Sequence, residues 1–382
     1  MPKSDSQYDL HLIKVLGGRD GGGILTSELC FSRTLKTRTK KLTAIAIGKG
    51  MSSKVYQDAY HRDLLTPRTP FPKFDGRATK KITRIPLLII SSFFAAVFCA
   101  IRLRQTRQKK AVIVRKYELL LFSGFLALLL RAPLFWHVAE LPRNKTLRFY
   151  RNFTCFTFNV ILVPNSKYTA KNLGVDAGNV IYPGYSQART LQYRPQTKKS
   201  KTLTYVISSR IVQSKAIDLA VNGFLQSRAH KFGCRLLIAG GPTDTEYAQK
   251  VSQLIEHSKT DHVYMLGHQD NIMEIYREAD IVINSRRDAE PCGITILEAL
   301  ASGIPVIAYH EGGPSEFIRC NKNGWLLKEP SIAEYTRAID KAWDNRHQIP
   351  SMALFCKESV RDLEATSQAE KLLRLINRRL HP

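Results

Sequence analysis

Twice along the chain, short β-branched or apolar runs alternate with helical patterns, and this double alternation limits the fold most, because it is the signature of parallel-sheet βαβ units. The first set predicts strands over 10–16, 42–47, 111–114, 133–137 and 160–163, with helices over 24–36, 85–107, 118–130 and 166–173. The second predicts strands over 203–207, 235–239, 262–266, 281–283 and 306–308, with helices over 216–227, 245–258, 272–278 and 294–301. A polar, basic stretch between them reads as a linker. The expected organisation is a Rossmann-like domain over 1–186, a linker over 187–202, a second Rossmann-like domain over 203–350, and a C-terminal helical segment over 351–382 that can pack back on the first domain. Two such domains, α/β and doubly wound, face each other across a cleft at the carboxyl ends of their strands, where ligands bind in open sheets. The length of 382 residues suits two domains of this kind. A stretch over 66–77 with Pro67, Pro70, Pro72 and Gly76 reads as an exposed loop.

Charge is shared unevenly. Residues 1–200 hold 35 Lys and Arg against 10 Asp and Glu, whereas the remainder holds 23 against 22. Such asymmetry marks a surface that meets something anionic, either phosphate backbone or acidic lipid headgroups. The neighbouring residues favour lipid: 85–101 is an uncharged apolar run, preceded by Arg84 and followed by Arg102, Arg104, Arg107, Lys109 and Lys110. DNA asks instead for polar readers and phosphate clamps. The run sits at the lower edge of the ~17–25 residues that a spanning helix needs. The expectation is a core helix with part of its face, or an adjoining loop, touching lipid; a fully buried helix is the alternative. Seven scattered cysteines without a Cys-x-x-Cys pair, and no secretory signal over 1–10, read as reduced thiols in a cytosolic compartment.

The residues able to do chemistry fall at the predicted strand ends. Glu290-Pro291-Cys292-Gly293-Ile294-Thr295 follows a strand, crosses a glycine and enters a helix, which leaves through Gly303-Ile304-Pro305. The amides of Gly293, Ile294 and Thr295 at a helix start can seat an anion. Glu290 precedes that helix and Glu298 lies just over one turn inside it. Carboxylates accept hydrogen bonds from sugar hydroxyls, so a polyol across the helix start could be held at both ends. A solvent-facing Glu298 is the bland alternative. No His-Glu-x-x-His, Walker loop, Gly-x-Ser-x-Gly elbow or metal-spaced Cys/His group occurs.

Glu-x7-Glu followed by Glu-Ala-x-Ala-x-Gly-x-Pro-Val resembles the retaining GT-B glycosyltransferases of the large Glu-x7-Glu family (glycosyltransferase family 4-like, bacterial cell-envelope type). Ser209-Arg210-Ile211 with Lys215-Ala216 is similar to that family's Gly-Arg-Leu-x4-Lys-Gly, with Ser209 and Ala216 in glycine positions and Cys292 where an aromatic is usual. Leu237–Gly241, Leu266-Gly267-His268, Glu311–Glu316 and Asn323–Leu326 look like further motifs of the nucleotide-sugar domain. In the first half, Gly22-Gly23-Ile24 resembles the family's Gly-Gly loop, 133–137 the strand ending in its active-site histidine, and 163–166 the turn near its hinge.

The resemblance implies a retaining hexosyltransferase. Arg210 and Lys215 would grip the donor diphosphate, assisted by Gly22, Gly23 and the amides of Gly293–Thr295. Glu298 would hold the ribose, Gly267 and His268 would border the base, and Glu290 and His137 would contact the transferred sugar. It implies a UDP-, GDP- or ADP-linked sugar donor, no metal and no other cofactor. With the charge asymmetry, the expectation is a lipid-linked or glycolipid acceptor met at an anionic membrane surface, by a protein peripheral on the cytosolic face and acting in polysaccharide or cell-envelope glycan synthesis. The alternatives are an inverting or soluble-acceptor GT-B enzyme, a non-catalytic GT-B scaffold, and a nucleic-acid-binding protein, for which no reader motif is found.

Overall fold

The structure, a computed structural model, describes residues 7–17, 23–47, 52–67, 85–140, 145–191 and 202–381. Contacts divide the chain into two units, Met1–Tyr182 with Thr366–Pro382, and Pro183–Ala365.

The first unit carries strands β1 (Tyr8–Gly17), β2 (Thr39–Ile47), β3 (Leu64–Leu65), β4 (Lys109–Val114), β5 (Leu134–Val138) and β6 (Ile161–Pro164). Its helices are α1 (Gly23–Arg38), α2 (Ser52–Tyr60), α3 (Ile85–Leu103), α4 (Leu120–Leu130), α5 (Lys145–Thr157) and α6 (Lys167–Leu173). The sheet order is β3-β2-β1-β4-β5-β6, parallel throughout. Leu10–Gly17 is buried without interruption because both faces of the sheet are covered, so the strand is apolar apart from His11 and Lys14, which are buried with it. On one face Ile13, Val15, Val112, Val114 and Trp136 pack against Ala95, Ala96 and Cys99 of α3 and Leu120 and Leu126 of α4. Ser166 caps α6 by accepting from the Thr169 amide, and Gly174 closes it in the left-handed conformation.

The second unit repeats the arrangement with β7 (Thr204–Ser208), β8 (Arg235–Ala239), β9 (Val263–Gly267), β10 (Ile281–Asn284), β11 (Val306–Tyr309) and β12 (Gly324–Leu327). The sheet order β12-β11-β10-β7-β8-β9 is again parallel. The helices are α7 (Ile217–Leu225), α8 (Arg228–Lys231), α9 (Glu246–His257), α10 (Ile272–Glu278), α11 (Ile294–Ala301), α12 (Pro314–Phe317), α13 (Ile332–Asp344) and α14 (Ile349–Val360). Each unit therefore places its first strand beside its fourth, the point at which the strand order reverses and a crevice opens.

Several expectations need correction. The helix expected over 85–107 ends at Leu103, since Arg104–Arg107 already turns toward β4. The pattern missed α2, α5, α8, α12, α13, β3 and β12: β3, β12, α8 and α12 are too short to show a period, and α5 mixes aromatic with basic residues. The polar, basic linker stretch put the end of the first domain at 186, whereas by contacts the units divide after Tyr182. Gln187–Arg189, expected in the linker, forms a 3-10 turn of the second unit. Residues 192–201 of that linker, 68–77 of the Pro-rich loop, and Gly22 lie outside the described residues. The segment 351–382 divides: α14 belongs to the second unit and most of α15 (Ala365–Leu380) to the first. There Gln368 Oε1 accepts from the Tyr182 amide at 3.0 Å, Lys371 Nζ donates to the Val180 carbonyl at 2.9 Å, and Arg38 pairs with Glu370 at 3.0 Å.

Two buried histidines give the first unit a pH dependence. His11 lies between the hydroxyls of Thr106 and Thr43, at 2.8 and 2.9 Å; burial, with Lys41 and Lys110, lowers its pKa to about 4. His137 is lowered to about 3 by burial and Arg115. An unfolded chain protonates both below about 6.5, whereas the folded unit keeps them neutral, so stability is flat above that pH and lost as pH falls toward 4. Denaturant unfolding at pH 5 is expected to find this unit on the order of 4 kcal/mol less stable than at pH 7.5. Equal stabilities at the two pH values would show that the rings are not held neutral.

Candidate active site

In the second unit, loops after β7, β8 and β10 leave neighbouring strands at the same edge. Backbone bonds tie them together: Ser209 N–H donates to the Ala239 carbonyl at 3.1 Å and Ile211 N–H to that of Gly241 at 2.9 Å. Arg287 fastens the loop after β10 to the 3-10 turn Gln213–Lys215, its amide donating to Ser214 and its Nε to Gln213. Its guanidinium also donates to Asp218 at 2.6 Å. This clamp sets Lys215 against Glu290, Nζ to Oε2 at 3.1 Å.

Arg286 completes the group. Its Nη1 lies 2.8 Å from the same Glu290 oxygen and its Nε 2.6 Å from Asp288 Oδ1. Burial alone would raise the Glu290 carboxyl, but the charges of Lys215 and Arg286 outweigh it and hold the carboxyl below the usual range. The result is an ionised carboxylate between two cations. Its backbone is held as firmly: the Gly313 amide donates to the Glu290 carbonyl at 2.8 Å, and Gly312, at φ +105°, lies so close to that carbonyl that a Cβ would collide with it.

Gly293, at φ +86°, caps α11. The helical ladder begins with Ile296 and Leu297 donating to the Gly293 carbonyl, so the Ile294 and Thr295 amides precede it at the positive end of the helix dipole. Glu298 does not face solvent. It is 2% exposed, and Arg189 Nε donates to its Oε1 at 2.7 Å. Burial raises its carboxyl and Arg189 opposes the rise only in part.

Arg210 is exposed and has no ion-pair partner among the described residues. Ala216 takes a left-handed conformation, φ +48°, at the position where the resemblance places glycine. Gly267 ends β9 beside Gly240, whose amide donates to the Gly267 carbonyl at 2.7 Å. His268 is largely exposed and stands 3.5 Å from Asp270. The described residues contain no group of three or more His, Cys, Asp or Glu able to hold a metal ion.

His137 belongs to the first unit, on β5. It is 3% exposed, and because a carbonyl can only accept, its Nε2 carries the proton that reaches Ile181 O at 2.7 Å. Neutral, it keeps Nδ1 as an acceptor. Nearby, Lys14 pairs with Glu28 Oε1, and Arg115 Nη1 with Glu28 Oε2 at 3.1 Å. Ser32 accepts from Lys14 at 3.0 Å and bonds Tyr60, and Trp136 donates to the Arg115 carbonyl at 3.0 Å. Gly23 opens α1.

Of the expected residues, Lys215, Glu290 and the Gly293–Thr295 turn come together, while the side chains of Arg210, His268 and Glu298 make no hydrogen bond or ion pair with that group among the described residues. The sequence reading missed Arg286 and Arg189. Arg286 has a signal, the four-residue spacing to Glu290; Arg189 has none.

Two parallel six-stranded α/β units, each in this strand order, define the fold class GT-B. Residues 189–358 match the family model described as glycosyl transferases group 1, and over that segment the chain is similar to this family. Among its relatives, lipopolysaccharide 1,2-N-acetylglucosaminetransferase of Salmonella typhimurium is 28% identical over 215 residues, 50% of this chain and 56% of that protein. The GDP-mannose-dependent alpha-(1-6)-phosphatidylinositol monomannoside mannosyltransferase of Mycobacterium tuberculosis is 28% identical over 181 residues, 45% of this chain and 46% of its own. The chain spans 16% to 56% of the length of its first relatives. The fold extends further: Anabaena Alr3699/HepE, solved in complex with UDP, superimposes with a TM-score of 0.77 over 96% of this chain and 99% of its own, at 14% identity.

Proposed function

We propose that this protein is a retaining glycosyltransferase that takes a sugar from a nucleotide-sugar donor and passes it to a membrane-held acceptor, lipid-linked or glycolipid, in polysaccharide or cell-envelope glycan synthesis. The observation that carries the reading is the pairing of Lys215 and Arg286 with Glu290 beside the Gly293–Thr295 helix start. That arrangement supplies fixed positive charge and a carboxylate at adjoining points, where a leaving diphosphate and a sugar hydroxyl lie next to each other. The relatives' names support it: one is an N-acetylglucosaminetransferase of lipopolysaccharide, another a mannosyltransferase of a phosphatidylinositol mannoside.

In this mechanism negative charge grows on the departing diphosphate and positive charge on the anomeric carbon. Lys215 and Arg210 neutralise the first, with the Ile294 and Thr295 amides assisting. Glu290 accepts from a hydroxyl of the transferred sugar and acts without a covalent step. Neutral His137 offers Nδ1 to a sugar hydroxyl, the role the resemblance implies for it. Glu298 accepts from the ribose in exchange for Arg189, while Gly267 and His268 border the base. The resemblance assigns the work of a metal to protein cations, so turnover is expected to survive chelation; loss with EDTA and rescue by Mg²⁺ would count against this donor site. The site of action is the cytosolic membrane face.

Thermal stabilisation by UDP-, GDP- and ADP-sugars identifies the donor, because binding raises apparent stability by mass action. Donor hydrolysis in the presence of the stabilising sugar, with the anomeric configuration of the product read by NMR, tests transfer and retention. Glu298→Gln is expected to weaken nucleoside diphosphate binding by roughly 10-fold, the scale of one hydrogen bond to a charged group, while turnover at saturation changes less. If the diphosphate loses more affinity in Glu290→Ala than in Glu298→Ala, the roles of the two glutamates are reversed.

A further inference from the structure

Helix α3 turns its small residues inward and its large ones outward. Ser92, Ala95, Ala96, Cys99 and Ala100 are buried, whereas Leu87, Ile90, Phe94 and Ile101 are exposed on the opposite face, the last two 62% each. A helix of a soluble core shows the reverse order. Helix α5 adds a second stripe: Phe149, Phe153 and Phe156, at i, i+4 and i+7, are 73%, 58% and 90% exposed. The two helices belong to one layer, since Cys155 and Phe158 pack on the same core as α3 and α4, and Phe93, Phe125 and Phe158 stack edge to face in series at 5.5 and 5.3 Å. From α4 between them, Leu128 also stands exposed.

What surrounds this apolar face is cationic. Helices α3, α4 and α5 contain no Asp or Glu. Arg102 lies over the Phe98 ring at 4.3 Å, Arg104 and Arg107 follow it, and Lys145, Arg148 and Arg151 share α5 with the three phenylalanines. A second copy of the chain would set like charges against each other, whereas anionic headgroups answer both the charge and the apolar surface. Helix α3 is long and apolar enough to cross a bilayer, yet its small-residue face is packed on α4 and the sheet, and it joins β3 to β4 of that one sheet, so crossing would strip it from its own core.

We propose that the outer face of α3, α4 and α5 is a docking surface that lies in the interfacial region of an anionic bilayer, its phenylalanines below the headgroups and its arginines and lysines among the phosphates. The proposal rests on the membrane-held acceptor for its purpose, but its test reads binding and not turnover, so either can fail alone.

Flotation with phosphatidylcholine vesicles, with and without 30 mol% phosphatidylglycerol and at low and high salt, tests it on the full chain. The wild type is expected to float with the anionic vesicles and to be partly released by salt. The triple variant Phe149→Ser, Phe153→Ser, Phe156→Ser is expected to bind roughly 10-fold or more weakly, and Phe94→Ser with Ile101→Ser likewise, because each removes apolar side chains from the bilayer. Lys145→Ala with Arg151→Ala should lose the preference for anionic vesicles. All these side chains are exposed except the half-buried Arg151, and unchanged thermal melting and nucleoside diphosphate binding show that the variants are folded. Flotation of the triple variant like wild type, or of the wild type with neither vesicle, overturns the surface. Resistance to alkaline carbonate overturns it in favour of a spanning helix, and a concentration-dependent dimer abolished by the same substitutions overturns it in favour of a second copy. Donor hydrolysis without flotation leaves the glycosyltransferase reading standing; flotation without hydrolysis leaves the docking surface.

Discussion

Lys215→Ala is expected to lower turnover on the order of 10²-fold at saturating donor, the scale of losing one preorganised charge at a developing anion. The ammonium is not merely near the phosphate in this reading. It is held by the Gln213–Lys215 turn, which Arg287 fastens through two backbone carbonyls, and it is ion-paired with Glu290 at 3.1 Å. Alanine removes the charge and leaves Glu290 with Arg286 alone, so the carboxyl moves up from its depressed pKa and its hold on the sugar hydroxyl weakens too. Arg286→Ala separates the two effects: it frees the carboxylate but leaves the lysine, and is expected to cost less in kcat than Lys215→Ala. Arg210→Ala should resemble Lys215→Ala, since its guanidinium is exposed and without an ion-pair partner among the described residues. Initial rates of donor hydrolysis decide this, with thermal melting to show that the variants stay folded. A Lys215→Ala enzyme within threefold of wild type would remove Lys215 from the diphosphate.

Glu28→Ala is expected to destabilise the first unit by about 3–5 kcal/mol, because it leaves Lys14 and Arg115 buried with no carboxylate between them. Burial alone would raise the Glu28 carboxyl, but Lys14 and Arg115 hold it at about 2. Its contribution is therefore present above about 4.5 and lost as pH falls through about 2, below the window in which the histidines act. In a domain whose whole stability is about 5–15 kcal/mol, the loss corresponds to a melting transition lower by roughly 10 °C. Calorimetry on the full chain should show one transition lowered and nucleoside diphosphate binding by the second unit preserved. Glu28→Ala combined with Lys14→Met should recover part of the loss, since one buried charge is then gone. An unchanged melting profile in Glu28→Ala would show that water reaches the cluster and screens it.

Both Rossmann-like units were legible in the chain because a parallel strand covered on both faces is mostly apolar: β4, β8 and β11 show as such runs, and β1 does so around its buried His11 and Lys14. The Glu290 to Thr295 turn was legible for a related reason, since a strand, a glycine and a helix start follow one another in a few residues. Neither argument reaches an ion pair. Arg286 and Arg287 are adjacent and chemically identical in sequence, yet the first goes to Glu290 and the second to Asp218. Arg189 lies 109 positions from Glu298, and only the fold of the second unit brings them to 2.7 Å. The cluster around Glu28 gathers residues from β1, α1, α2 and the turn after β4, so no local pattern could have announced it. The apolar run at 85–101 shows the division most plainly. Its composition determined that a hydrophobic helix would form there; which of its faces is covered depended on α4 and the sheet, which accept the alanines and leave the phenylalanines outside.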